Sequence, residues 1–501
     1  MIFSKISQLV RRIETAEVNP LAWLVTIFGI IVLRNFLEAF SSLHKNLIIP
    51  LTSFFLHFPL FYFALLLSLI LFIAWCARTS VLVVIRLATA MFSIIIFPPL
   101  IDLVISGGNG IRMTYIFADG PGLLRAFVNF FIPTITISGV TVGIRVEIII
   151  NLILIFWYVY RLTGKLRAVI ATVGSYVIIF FYGSSPSIIT LAGNFLNVPV
   201  KWVDTDITFA KIYLLIIVVL RIIWLFAWDK KKASAFLRNS RPERIAYYCF
   251  IGLIGFFFFP PAYLNGLDIG IFLLMITTGW LSAIAFNDLE DISTDKISNP
   301  KRPLVSNAWT ATETKNAALF LLALSLFLGA TLGKNVFVTF LTFHAAAYVY
   351  SSPPLRLKNI LIISSFLIAL AGAATFISGA SLAHPDWGTR EMPGLFIFFS
   401  IIIITLLSQV RDLKDVAGDR QAGIKTLPVL VGMRQAQIII GTLFALIIFL
   451  IPIIFPKLFF LISSIIAGPY FLWTITRQRY NERLVFTGII IYFAAILTYL
   501  I

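Results

Sequence analysis

Apolar runs of about 20 residues recur along the 501-residue chain, and each matches the hydrocarbon thickness of a bilayer. Hydrophobic residues make up 60% of the sequence and charged residues only 12%. Backbone polar groups in lipid must be satisfied within the segment itself, which favours helices. The pattern therefore predicts an all-α polytopic membrane protein. The two cysteines, Cys76 and Cys249, indicate neither a disulfide framework nor a metal-ligand spacing.

A basic segment divides these runs into two groups. We expect the first six spans near 21–40, 51–75, 80–103, 145–161, 167–183 and 211–228. We expect nine more near 245–261, 267–286, 316–333, 335–350, 359–382, 392–410, 436–455, 457–475 and 484–501. Residues 112–140 are expected to form either an interfacial or re-entrant helix or a seventh N-terminal span. The predicted domains are 1–228, of unknown role, a basic cytoplasmic linker at 229–244, and 245–501.

The formal net charge is +17, and the basic residues lie in short segments between apolar runs. In the second half these segments are 287–315, 351–358, 411–435 and 476–483. The positive-inside rule predicts that all four are cytoplasmic. Contact with anionic membrane lipids or an anionic substrate explains the charge better than nucleic-acid binding. We expect a multi-pass plasma-membrane protein whose active site faces the cytoplasm.

One acidic spacing, D-x-x-D-x-x-x-D, occurs twice, each time just after an apolar span. The first copy is Asp288, Asp291 and Asp295, and the second is Asp412, Asp415 and Asp419. On a helix these positions share one face, where the carboxylates repel one another unless a cation neutralises them. A solvated helix end explains one such motif better than two on the same side. Mg²⁺ prefers a few carboxylates plus substrate phosphates, so the pair predicts a Mg²⁺ site for a membrane-soluble diphosphate.

Basic residues accompany both acidic motifs. Arg302 follows the first motif, Arg356 and Lys358 lie in the sequence YSSPPLRLK, and Lys414 lies within the second motif. Cations at these positions would stabilise the charge that develops on a diphosphate leaving group, beside metal ions acting as Lewis acids. The alternative interpretation is that they are snorkelling side chains or topology signals.

Three segments carry a resemblance to a known family. Residues 287–303 resemble the first signature of the UbiA superfamily of intramembrane prenyltransferases. Residues 350–358 resemble its Tyr-x-x-x-Lys-type region, and residues 411–428, RDLKDVAGDRQAGIKTLP, resemble its second signature. The resemblance covers about 240–501, where the nine spans and the motif positions also agree with the family.

The resemblance implies a bundle of nine helices around a lipid-open cavity that cytoplasmic loops cap. It also implies that the six motif aspartates act in catalysis by binding Mg²⁺ and diphosphate. The implied diphosphate-binding residues are Asn287, Arg302, Tyr350, Arg356, Lys358 and Lys414. The implied reaction is metal-assisted ionisation of an allylic polyprenyl diphosphate, followed by attack of a lipid-accessible acceptor.

The acceptor and the N-terminal half leave alternatives open. The motif sequences look most similar to members that alkylate glycerol phosphate ethers, while members acting on aromatic quinone precursors share much of the pattern. Phosphoribosyl transfer to a polyprenyl phosphate is an alternative within the superfamily. Ionisable residues in the first half, such as Arg34, Glu38, Arg145 and Glu147, motivate a lipid transporter or flippase fused to the enzyme. An i, i+4 ion pair is the simpler interpretation of Arg34 and Glu38.

Overall fold

The structure is a computed structural model of the whole chain. It describes residues 2–17, 19–41, 53–111, 113–195, 205–259, 261, 265–387, 391, 394–421 and 423–501. Within these ranges the chain forms helices and connecting loops, with no β-strand. It divides into two compact units, unit 1 (Met1–Ala227) and unit 2 (Trp228–Ile501).

Among its described residues, unit 1 has six helical segments that are long and apolar enough to cross a membrane. They are α1 (Ala22–Ala39), α2 (Phe55–Ala77), α3 (Val81–Ile105), α4 (Val142–Thr163), α5 (Lys165–Gly183) and α6 (Asp206–Ala227). Shorter helices span Ile2–Thr15, Gly120–Asn129 and Ser185–Phe195. Arg34 and Glu38 form the expected i, i+4 ion pair, with 2.7 Å between Nη1 and Oε2.

The ten-residue helix Gly120–Asn129 lies in the segment 112–140, for which the sequence allowed either an interfacial or re-entrant helix or a seventh span. At 1.5 Å per residue it is about 15 Å long, half the thickness of the hydrocarbon core. It is too short to be a seventh span. The interfacial or re-entrant alternative therefore fits this segment, although Arg112 lies outside the described residues.

The described residues of unit 2 form nine long helices. They are α7 (Pro242–Phe258), α8 (Gly266–Glu290), α9 (Ala311–Leu332), α10 (Lys334–Ser351), α11 (Leu361–Ala383), α12 (Gly394–Leu407), α13 (Met433–Ile454), α14 (Leu458–Thr476) and α15 (Glu482–Leu500). Four short α-helices lie between or before them in the described residues: Lys230–Asn239, Ile292–Ser298, Asp412–Gln421 and Leu427–Val431. All nine match spans that the sequence predicted.

The long helices of unit 2 pack in a closed ring. Each helix from α7 to α14 packs on the next long helix in the chain, and α15 packs back on α7. Outward side chains are apolar and exposed: Ile453 is 74% exposed and Ile466 is 67% exposed. Such a surface needs lipid around it, so the chain is an all-α polytopic membrane protein, as the sequence predicted.

Twelve helices in the described ranges meet the length and hydropathy expected of a span. Six belong to unit 1, and the other six are α8, α9, α11, α13, α14 and α15. The helices α7, α10 and α12 contain 17, 18 and 14 residues and fall short of that standard. The total of fifteen spans therefore stays a prediction.

Small residues bring α7 and α11 into backbone contact. A Cβ on Gly379 would lie 2.0 Å from the carbonyl oxygen of Gly252, and one on Gly255 would lie 2.1 Å from that of Phe376. Small residues allow membrane helices to approach closely and gain packing contacts that lipid does not provide. Both helices also line the cavity inside the ring, so this close packing holds part of the cavity wall in place.

Gly379→Ala is expected to lower the apparent melting temperature in detergent, with a destabilisation of about 1–3 kcal/mol from overpacking. The added methyl group meets backbone, which cannot move aside as a side chain can. Gly270→Ala is the matched control because a Cβ there has nothing within 4 Å. That control should be neutral or slightly stabilising. Equal melting temperatures for both variants would contradict the close packing of α7 on α11.

Candidate active site

Both acidic motifs lie at the same end of the unit 2 ring. The first begins in the last turn of α8 and continues into Ile292–Ser298, and the second forms Asp412–Gln421 beyond α12. These two short helices pack against each other. The loop after α10 reaches the same place, because Lys358 contacts Asp291. The chain therefore brings the two motifs and their basic neighbours together.

The first motif does not lie on one continuous helix, which corrects the single helical face expected from the spacing. Helix α8 ends at Glu290, and Asp291 leaves helical geometry with φ −105° and ψ 12°. Arg302 bridges this break: its Nη1 donates to Asp288 Oδ1 at 2.9 Å and also to Asp295. Asp288 and Asp295 are each only 4% exposed. A guanidinium from the following loop therefore holds together two carboxylates that the backbone break would separate.

Asp291 has its own set of donors. Lys358 contacts Asp291 Oδ1, and Arg356 Nη2 donates to the same oxygen at 3.1 Å. The amide of Asn287 donates to Asp291 Oδ2 at 2.9 Å and to Ser351 Oγ at 3.3 Å. Four residues predicted to bind diphosphate, Asn287, Arg302, Arg356 and Lys358, thus already contact the first motif.

The second motif lies on a single helix, as its spacing predicts, and has fewer cations around it. Arg411 is 3.8 Å from Asp412 Oδ1, and Asp412 Oδ2 is buried without a hydrogen-bond partner in the described structure. Burial raises the pKa of Asp412. Burial, together with the charges of Asp412 and Asp415, raises the pKa of Asp419 to about 6. This helix therefore presents carboxylates whose negative charge is poorly balanced.

Two other predicted residues have different neighbours. Lys414 Nζ donates to Glu482 Oε2 at 2.7 Å, and its side chain is 35% exposed. The hydroxyl of Tyr350 accepts from Arg411 Nη1 at 3.5 Å, and the guanidinium of Arg411 lies over the Tyr350 ring at 5.9 Å. Tyr350 is thus joined to the second motif through Arg411, whereas Lys414 pairs with the start of α15.

The segment predicted to be a basic linker contributes to this cluster. It forms the helix Lys230–Asn239, whose last residue donates from Nδ2 to Asp288 Oδ2 at 2.6 Å. Arg241 Nη2 donates to Asp288 Oδ1 at 3.2 Å, and Arg244 donates to Glu482 at 2.7 Å. Burial, followed by the charge of Arg302, lowers the pKa of Arg241 to about 10. The sequence showed these basic residues but gave no sign that they fold back on the first motif.

A cavity of about 650 Å³ runs inside the ring. Its walls are mainly apolar and aromatic, and most of its polar residues lie at the end that holds the acidic motifs, while Lys457 lines the opposite end. That polar end is formed by Arg241, Arg244, Asn287, Tyr350, Ser351 and Arg411. Asn287 and Tyr350 were predicted site residues, whereas the three arginines were not. The arrangement suits a ligand with an anionic head and a long apolar tail.

The donor set fits Mg²⁺ bound together with a phosphate ligand better than a bare ion. Among the described residues, no group of three or more acidic, histidine or cysteine side chains converges on one point. Mg²⁺ commonly takes only one or two carboxylates and completes its octahedron with water and substrate phosphates. The buried, unpartnered Oδ2 of Asp412 is an oxygen of the required kind, and such an orphan needs a partner.

Comparison with known proteins relates part of this chain to a protein family. Residues 248–486 match the sequence model of the UbiA prenyltransferase family, which indicates a prenyltransferase domain in this part of the chain. Digeranylgeranylglyceryl phosphate synthase from Pyrococcus abyssi is 26% identical over 208 residues, which cover 42% of this chain and 73% of that protein. The enzyme of the same name from Sulfurisphaera tokodaii is 31% identical over 176 residues, which cover 34% of this chain and 61% of that protein.

Solved structures of the family also resemble this chain. A UbiA homolog from Archaeoglobus fulgidus bound to GPP and Mg²⁺ aligns with a TM-score of 0.45 and 23% identity. That alignment covers 53% of this chain and 98% of the other. A UbiA homolog from Aeropyrum pernix K1 aligns with a TM-score of 0.44 and 16% identity, and the alignment covers 52% of this chain and 99% of the other.

Arg302→Ala is expected to destabilise unit 2 by on the order of 3 kcal/mol, since it leaves two buried carboxylates without their shared cation. The measurement is thermal unfolding of the purified protein in detergent at neutral pH. Lys301→Ala is the matched control, because its exposed neighbouring side chain can be removed without unpairing a buried group. An Arg302→Ala protein that melts with the wild type would show that this bridge does not hold the motif together.

Proposed function

We propose that unit 2 transfers a polyprenyl group from an allylic polyprenyl diphosphate to the free hydroxyl of a glycerol phosphate ether lipid. The observation that carries this proposal is the meeting of two acidic helices at the arginine-rich end of a mainly apolar cavity. The relatives named as digeranylgeranylglyceryl phosphate synthases support the same acceptor class.

The six motif aspartates are the proposed ligands of Mg²⁺ and, through it, of the diphosphate. Bound there, Mg²⁺ would supply Lewis-acid stabilisation of the departing diphosphate. Arg302, Arg356 and Lys358 now neutralise the first motif, and their donors would turn toward diphosphate oxygens when the donor substrate binds. Charge-assisted contacts from these groups would then strengthen as negative charge accumulates on the leaving group.

Aromatic side chains surround the proposed position of the allylic carbon. Tyr248, Trp280 and Phe343 pack together, with ring centroids 5.1 Å apart for Tyr248–Trp280 and 5.5 Å for Tyr248–Phe343. All three line the cavity within about two helical turns of its polar end. Their ring faces would stabilise a developing allylic cation. Their bulk would also exclude water, which would otherwise capture the cation.

Three arginines support an acceptor that carries a phosphate. Arg241, Arg244 and Arg411 line the cavity at the end that holds the motifs. A guanidinium forms bidentate contacts with phosphate, so this cluster suits a phosphorylated acceptor head. We propose that these residues hold the acceptor phosphate while its hydroxyl faces the allylic carbon.

The proposed location is the plasma membrane, with the polar end of the cavity at the cytoplasmic surface. The four basic segments of unit 2 support this orientation under the positive-inside rule. The proposed domain boundaries are those expected from the sequence, with the prenyltransferase domain from about residue 245. In addition, we propose that the segment 229–244 belongs functionally to this domain, because Asn239 and Arg241 bind Asp288.

Asp291→Asn and Asp415→Asn are each expected to lower kcat/KM for prenyl transfer at least about 100-fold. The reason is that each removes a charge needed to hold the metal and its diphosphate. Transfer of radiolabelled geranylgeranyl diphosphate measures the effect. Asp386→Asn is the control, because that carboxylate is exposed and lies on the loop after α11, at the other end of the ring. Full turnover in both motif variants would contradict the proposed site.

Removal of divalent metal is expected to abolish transfer, and added Mg²⁺ is expected to restore it. Purified protein would be given geranylgeranyl diphosphate with geranylgeranylglyceryl phosphate, 4-hydroxybenzoate or dihydroxynaphthoate, with and without EDTA. We expect an EDTA-sensitive product with the glycerol phosphate ether. A product with only an aromatic acceptor would correct the acceptor class. Activity only with a phosphoribosyl donor and a polyprenyl phosphate would replace the proposed reaction.

A further inference from the structure

The cavity extends through most of the membrane depth of unit 2. Its lining on α7 runs from Arg241 at the polar end to Phe258. Seventeen residues at 1.5 Å each correspond to about 26 Å, compared with a hydrocarbon core of about 30 Å. An apolar chain that enters from the polar end can therefore extend almost to the opposite surface before it meets a wall.

Five aromatic rings make up most of that wall, beside the side chain of Lys457. Phe258, Phe376, Phe455, Phe460 and Tyr499 all line the cavity. Their rings contact one another in sequence: Phe376–Phe258 at 5.8 Å, Phe258–Phe455 at 6.1 Å, Phe455–Phe460 at 5.3 Å and Phe460–Tyr499 at 5.3 Å. Because they come from α7, α11, α14, α15 and the end of α13, the rings join helices on several sides of the cavity.

This aromatic floor, as we call these five residues, is held in place by the turn between α13 and α14. Phe455 is the C-cap of α13, and α14 begins at Leu458. Phe459 supports the floor from outside: its ring stacks on Tyr499 at 4.7 Å with an interplanar angle of 8°, yet it does not line the cavity. Phe460 is only 7% exposed. Phe258, Phe376 and Phe455 are partly buried, and Tyr499 at the edge of the floor is 43% exposed. The rings are therefore packed against one another and, at Tyr499, against Phe459.

We propose that the aromatic floor sets the maximum length of the prenyl group that unit 2 transfers. This inference rests on the proposed function, in which the diphosphate binds at the polar end and the tail extends toward the floor. Each added isoprenoid unit moves the end of the tail closer to rings that are packed and cannot easily be displaced. A donor longer than the cavity must then fold back or push its allylic carbon away from the acidic motifs. The preference for shorter over longer donors would therefore appear as a difference in their kcat/KM values.

The test compares floor variants with a matched neighbour. Phe455→Ala and Phe460→Ala open the floor, Phe460→Leu opens it with less loss of packing, and Phe459→Ala removes a ring outside the cavity. The full-length protein in detergent would be assayed with Mg²⁺ and geranyl, farnesyl, geranylgeranyl and geranylfarnesyl diphosphates. We expect the floor variants to raise kcat/KM for the longest donor, relative to that for the donor preferred by the wild type, by about tenfold or more. Phe459→Ala should keep the wild-type preference.

The possible outcomes distinguish a failure of the aromatic floor from a failure of the proposed prenyl transfer. An active wild type whose chain-length preference stays the same in all floor variants would overturn the floor and show that the tail leaves between helices. A preference that shifts equally in Phe459→Ala would also overturn it, because general loosening would then explain the change. A wild type that transfers no prenyl group at all would overturn the proposed function and the inference together. Thermal unfolding of each variant shows whether a complete loss of activity reflects unfolding. If the alanine variants unfold, the chain-length preference of Phe460→Leu, which loses less packing, tests the proposal.

Discussion

The arrangement of unit 2 depends on how three buried carboxylates are neutralised. Asp288, Asp291 and Asp295 are each less than one-tenth exposed, and buried charges are costly unless they are paired and hydrogen-bonded. Their partners come from three separate segments: the stretch before α7, the loop that follows the first motif, and the loop after α10. The same ion pairs that close this end of the ring therefore place several cations where a diphosphate would bind.

The two acidic motifs share a spacing but differ in charge balance. The first is saturated with donors, whereas the second retains a buried oxygen without a partner and a carboxyl group, Asp419, whose pKa is raised to about 6. Additional positive charge is therefore needed most on the second helix. In the proposed complex, Mg²⁺ held between the two helices would supply that positive charge, and the diphosphate would accept the donors that the first motif now holds. Under this proposal each motif has a distinct part in binding a single ligand.

Sequence reasoning predicted the helical segments and the approach of the two motifs, because apolar run length and the positive-inside rule act locally along the chain. It was wrong about the shape of the first motif, since a break at Asp291 depends on tertiary ion pairs rather than on spacing. It also missed the roles of Asn239 and Arg241, because a basic segment before a span is typical of a topology signal. The place of Lys414 in the second motif predicted a contact with diphosphate. In the structure its ammonium pairs with Glu482 on another helix, and the diphosphate contact stays a prediction.

The central claim is that one ligand joins the two acidic helices at the polar end of the cavity. A cryo-electron microscopy structure in a lipid nanodisc, with Mg²⁺ and a non-reactive geranylgeranyl thiodiphosphate, would test it most directly. The account predicts diphosphate density between Ile292–Ser298 and Asp412–Gln421, with Arg302 and Lys358 turned toward it and the tail inside the ring. Diphosphate density anywhere else, with the ion pairs of the first motif unchanged, would contradict the account.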